Sequence, residues 1–126
     1  MTFPYQKINP QIIRPIIPVI IKYKDSFLAT TTLIDSGADY CIFDLGIAKN
    51  LGINFAKKDE TAFRGIGKSK GYFSTIELQI GKNCYPTKVV FANIKDLGHS
   101  LLGQKGFFDQ FKVSLDYKNQ KIEITP

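Results

Sequence analysis

Thr32-Leu33-Ile34-Asp35-Ser36-Gly37-Ala38-Asp39 is an apolar strand that ends abruptly in an acid, a hydroxyl and a glycine. A carboxylate directly after Leu33 and Ile34 emerges at the end of a buried strand, where desolvation makes its charge expensive and its proton affinity adjustable. Ser36 brings a hydroxyl that can bridge to backbone, and Gly37 lets the chain turn sharply and another backbone come close. Asp35 is therefore the first candidate for chemistry. Asp-Ser-Gly is also an ordinary turn tripeptide that closes strands through an Asx-type turn, so its meaning depends on what accompanies it.

On the N-terminal side, Ile12 to Tyr23 is rich in β-branched residues, which favours a strand, while Pro15 and Pro18 confine that strand to an edge or to irregular pairing. Lys24-Asp25-Ser26 gives a turn and Phe27 to Ile34 returns, so a hairpin leads into Asp35. Met1 to Gln11 has two prolines and no periodicity and reads as an extended arm of the kind that docks on a partner. On the C-terminal side, Tyr40 to Phe43 reads as a short strand and Leu45 to Leu51, stopped by Gly52, as a short helix. Ala62 to Phe73 carries Gly65, Gly67 and Gly71 between aromatic and apolar residues and reads as a glycine-tipped hairpin, from which a mobile loop is expected.

Ser74 to Ile80 alternates polar and apolar side chains as a half-buried strand does, and Cys84 to Phe91 follows after a turn. Leu101-Leu102 is a strand buried on both faces, ending in Gly103. Phe107, Phe108 and Phe111 lie at helical spacing within Gln104 to Phe111, and Val113 to Tyr117 and Lys121 to Thr125 form a closing hairpin. The chain reads as all-β with one or two short helices.

At 126 residues and 44% hydrophobic, the sequence is one ordinary domain, residues 1–126, with its own core. The net charge of +6 does not point to nucleic acid, because Arg14 and Arg64 are the only arginines and the lysines are spread along the whole length. Cys41 and Cys84 fit no metal spacing and His99 has no partner ligand near it, so neither a metal nor a Cys/His nucleophile is expected. Each cysteine reads as a buried thiol. With no signal peptide and no apolar run long enough to span a bilayer, the expectation is a soluble, cytoplasmic chain without a membrane partner.

Three segments together, Asp35-Ser36-Gly37-Ala38, Gly65-Ile66-Gly67 and Leu101-Leu102-Gly103, occur in the order and with the separations seen in the retropepsins. The stretch from about Ile12 to Pro126 resembles these single-domain aspartic proteases of retroviruses and their cellular and bacterial relatives. The resemblance implies a β-barrel or sandwich fold, a homodimer and no cofactor. It assigns the catalytic acid to Asp35, the hydroxyl that locks two catalytic loops together to Ser36, and a close approach of backbone to substrate to Gly37. Ala38 and Asp39 would hold substrate backbone and Tyr40 would line a side-chain pocket. Gly65, Ile66 and Gly67 would form a flap tip over the peptide, and Leu101 and Leu102 would contribute pocket wall.

The sequence departs from the family after Gly103. Many members have an Arg and then an Asp or Asn there, which tie the following helix to the active-site loop. Gln104 and Lys105 stand there instead, so the ion pair expected with Asp39 lacks its arginine. Asp44-Leu45-Gly46 and Asp96-Leu97-Gly98 lack the hydroxyl and are not credible second catalytic acids. One Asp-Ser-Gly per chain implies a twofold dimer in which two Asp35 residues share one proton and activate a water for peptide hydrolysis. The rival expectation is a catalytically silent retropepsin-like domain that binds peptides or holds a dimer together.

Overall fold

The computed structural model describes residues 1–65 and 67–126, and the side chains of all of these except residues 62–65 and 67–69. In chain order the strands are β1 (Thr2–Pro4), β2 (Gln6–Asn9), β3 (Ile12–Arg14), β4 (Ile16–Tyr23), β5 (Ser26–Ile34) and β6 (Ile42–Asp44). Helix α1 (Leu45–Asn50) comes next, then β7 (Glu60–Gly65), β8 (Gly67–Ile80), β9 (Asn83–Ala92), β10 (Ser100–Leu102), β11 (Lys112–Asp116) and β12 (Lys121–Thr125). The strands β4, β5, β10, β6, β9 and β8 pair in that order, and β8 pairs back to β4, closing a six-strand barrel. The hairpin partner β7 extends from β8.

The prolines fit this closure. The pairing of β8 with β4 covers only Ile20, Ile21 and Lys22, so at Pro18 strand β4 has β5 alone as a neighbour and the missing N–H falls at an open edge. Alternation then sorts the side chains. Ile17, Val19 and Ile21 of β4 point into the main core with Leu78, Val89 and Phe91, while Leu33, Phe73 and Val90 belong to a second, smaller cluster with Ala38, Ile42 and Leu101. Thr32 is fully buried yet satisfied, its hydroxyl donating to the Ile17 carbonyl at 3.0 Å.

The N-terminal arm docks on its own chain. Strand β1 pairs with β12, Phe3 opposite Ile122, in a three-stranded sheet with β11, and β2 pairs with β3. The Met1 ammonium donates to the Ile124 carbonyl at 2.7 Å. The reason lies in the closing hairpin, whose Ile122 and Ile124 are fully buried and need a covering strand.

Two expectations are corrected. Residues 104–111 form successive turns, not a helix. Gly106 has φ of +101°, outside the helical region, and the N–H groups of Phe108 and Asp109 reach back five residues, to Gly103 and Gln104. Phe107 still reaches the main core and is fully buried. Cys84 is exposed, because Tyr85 takes the inward position on β9 and alternation turns its neighbour to solvent. Among the described residues no helix is long and apolar enough to cross a membrane.

Candidate active site

The loop of residues 35–41 joins β5 to β6, and β10 lies between those two strands, parallel to β5 (Leu101 opposite Leu33) and antiparallel to β6 (Leu101 opposite Ile42). The loop must therefore cross the end of β10, and the chain leaving β10 is sewn to it by backbone bonds. Asp35 N–H donates to the Leu102 carbonyl at 2.9 Å, Gln104 N–H to Ala38 at 2.8 Å, and Lys105 N–H to Asp39 at 2.9 Å. Cys41 N–H returns to the Lys105 carbonyl at 3.2 Å. Gly103 allows this approach, since a Cβ there would collide with the Tyr40 carbonyl oxygen and come within 2.6 Å of that of Ala38.

Within the loop, the Asp35 carboxylate accepts the Gly37 N–H at 2.9 Å and the Asp35 carbonyl accepts the Ala38 N–H at 3.2 Å, a tight turn that fixes the acid relative to the following backbone. Asp35 is half-buried, less enclosed than its place after Leu33 and Ile34 suggests, because Ser36, Gly37 and Asp39 beside it are exposed. Ala38 is buried in the small cluster and Tyr40 half-buried at its margin. The acid is thus held from behind and open in front.

The residue after Gly103 supplies a support that the sequence did not reveal. The Gln104 carboxamide donates to the Ser36 carbonyl at 2.6 Å, a neutral bond to the centre of the loop in place of an arginine ion pair. Lys105 turns away from Asp39 toward Tyr40, with Nζ 3.5 Å from the phenol oxygen and 5.1 Å from the ring centroid. Among the described residues Asp39 has no ion-pair partner. A carboxamide-bearing side chain directly after the strand-ending glycine was the available signal, since Gln offers donors without charge.

The other expected site residues fall in different places. Leu102 is fully buried in the main core, so its part in the site is its carbonyl, whereas Leu101 sits in the small cluster beside Ala38. Gly65 and Gly67 pair across the tip of the β7–β8 hairpin, and Ile66 lies outside the described residues. The hairpin connects to the site through Phe73 of β8, whose ring meets Tyr40 edge to face at 5.0 Å between centroids. Behind the loop, burial pushes the Cys41 thiol up to about 12, so it stays protonated and unreactive. Tyr85 donates its hydroxyl to the Gly106 carbonyl at 2.6 Å, and burial raises its pKa too.

The two other Asp-Leu-Gly tripeptides have structural positions. Asp44 caps helix α1 by accepting the Gly46 N–H at 2.9 Å, and its second oxygen accepts the Ile94 N–H at 3.1 Å. Asp96 lies in a single 3-10 turn, Lys95–Leu97, closed by Gly98 with φ of +80°. Neither shares the Asp35 loop.

No protein-family model and no curated protein matches the chain. Solved structures do. A retropepsin-like aspartic protease from Rickettsia conorii superposes with a TM-score of 0.66 at 19% identity, covering 98% of this chain and 98% of that one. The retroviral protease-like domain of Ddi1 from Leishmania major gives 0.65 at 13% identity over 92% of this chain and 97% of that chain. The EIAV protease complexed with the inhibitor HBY-793 gives 0.57 at 21% identity over 79% and 88% of the two chains. With the closed barrel, the loop crossing β10 and the glycine-tipped hairpin all in place, the chain has the retropepsin-like fold.

Proposed function

We propose that the protein is an aspartic endopeptidase that works as a twofold homodimer, with Asp35 of each subunit meeting on the axis. The observation that carries the reading is the Asp35 turn itself: the carboxylate accepts the Gly37 N–H, the loop is tied down by the Asp35 N–H donating to the Leu102 carbonyl and the Gln104 N–H donating to that of Ala38, and Ser36 and Gly37 beside the acid are exposed. Such a loop holds an acid still while leaving it free to meet a second acid and a substrate. Its exposure in the single chain suits a surface completed by another copy.

Two carboxylates at such a junction share one proton, since two like charges in contact cannot both ionise. The ionised Asp35 takes a proton from a water whose oxygen attacks the scissile carbonyl carbon, and the protonated Asp35 hydrogen-bonds the carbonyl oxygen and gives it its proton. Collapse of the tetrahedral intermediate breaks the C–N bond, one carboxyl group giving its proton to the leaving amine while the other, ionised, takes a proton back from a hydroxyl of the intermediate as the product acid forms. The paired carboxyls end with one proton between them, ready for the next turnover. Ser36 of each loop bridges to the other, and Ala38 and Asp39 hold the peptide backbone.

The test is cleavage of a peptide library by purified protein, with the Asp35→Asn variant beside it. Cleavage should be lost in Asp35→Asn while the melting temperature stays within a few degrees of wild type. Turnover surviving the substitution in a clean preparation would sink the mechanism. Binding of peptides without cleavage by the unaltered protein would instead favour the catalytically silent domain.

A further inference from the structure

At the margin of the small cluster, two ammonium groups flank one aromatic pair. Tyr40 and Phe73 meet edge to face, Lys105 Nζ lies 5.1 Å from the Tyr40 ring centroid, and Lys88 Nζ lies 4.3 Å from that of Phe73. The register explains the second contact. Phe73 lies opposite Val90 and Thr75 opposite Lys88, so Lys88 and Phe73 are diagonal neighbours on one face of the β8–β9 ladder. That face belongs to the cluster containing Ala38 and Leu101, beside the Asp35 loop, and not to the main core.

Both lysines are exposed, and among the described residues neither forms an ion pair. Their ring contacts nevertheless restrict them, because a cation over an aromatic face is attracted by the ring quadrupole. The backbone of Lys105 is fixed further by its bonds to Asp39 and Cys41. The result is a half-buried aromatic pair with one ammonium group over each ring, Tyr40 standing one residue beyond the segment assigned to hold substrate backbone. A side chain with an apolar stem and a terminal carboxylate matches that surface, its stem against the ring surface the lysines leave uncovered and its charge toward the ammonium groups.

We propose that Lys88 and Lys105 make this site selective for acidic peptides, with a glutamate on the substrate residue that lies against Tyr40 and Phe73. The inference rests on the peptidase reading. It is tested by the binding of peptides that differ only by Glu, Gln or Lys at each position in turn to the Asp35→Asn protein, followed by fluorescence anisotropy at low and high salt. At one position Glu should bind about fivefold tighter than Gln and Lys weaker than both, the size set by two partly screened charge pairs, and added salt should shrink the difference. The Lys88→Glu, Lys105→Glu double variant, confirmed folded by its melting curve, should lose or invert the preference. Equal affinities for Glu and Gln peptides at every position, or a preference that survives the double charge reversal, would overturn the proposal. Cleavage of neutral peptides by the wild type with no gain from Glu would overturn it alone and leave the peptidase reading standing, whereas absence of any peptide binding or cleavage would overturn both.

Discussion

Gln104 and Gly103 illustrate how single residues at the crossing support the loop of an acid that they never touch. The Gln104 carboxamide reaches the Ser36 carbonyl from an exposed position, so removing it should cost the loop its placement and cost the fold little. Gln104→Leu is expected to lower kcat/KM about tenfold with nearly unchanged melting temperature, in line with one lost hydrogen bond at a site where small misplacements are amplified. Gln104→Arg, which restores a donor, should recover most of the loss, and steady-state kinetics on the three proteins decide it. A Gln104→Leu protein with wild-type kcat/KM would remove the residue from the site's support. The sequence singled out Asp35 as a candidate because an acid directly follows two apolar residues and because the Gly65–Gly67 and Leu101–Gly103 segments accompany it. The Gln104 bond was not, because it joins residues 68 positions apart and depends on a crossing that no local pattern encodes. The same holds for Lys88, which enters only through strand register.

Among the elements, the hairpins and the short helix were readable because turn residues and alternation mark them locally. β5, the Gly65–Gly67 tip, α1 with Gly52 behind it and the closing β11–β12 pair appear close to the expected bounds, whereas the strand expected over Ile12 to Tyr23 is broken at Pro15 into β3, which pairs with β2, and β4. The misreading at residues 104–111 has one cause, since phenylalanine spacing shows which side chains seek the core but not that Gly106 takes a positive φ. The pairing of the N-terminal arm was not legible because its partner strand, β12, lies at the opposite end of the chain. The α1 cap separates structural from catalytic acids. Asp44→Ala removes acceptors for both Gly46 and Ile94 and should destabilise the fold by about 1–2 kcal/mol, with cleavage per folded molecule retained. Denaturant melts paired with activity measured well below the midpoint check this, and a loss of turnover matching that of Asp35→Asn would mean that Asp44 belongs to the chemistry.

At the scale of the whole molecule, one Asp-Ser-Gly per chain makes each active site of the proposed dimer a shared object. Activity should therefore fall more steeply than linearly when the protein is diluted through its dimer dissociation constant. Excess Asp35→Asn protein, given time to exchange subunits, should draw wild-type protomers into defective pairs. With a tenth of the protomers wild type and random pairing, only about a hundredth of the dimers keep both acids. A rate that falls only in proportion to the wild-type fraction, with exchange independently demonstrated, would mean that one chain suffices. The crossing of the Asp35 loop over β10 bears also on how such an enzyme comes into being. Asp35 leaves the ribosome well before the carbonyl of Leu102 and the amides of Gln104 and Lys105 that hold its loop, so the loop cannot be set until that later segment exists. Synthesis itself then acts as a delay, and a nascent chain carries its acid disarmed until the segment that fastens it has emerged.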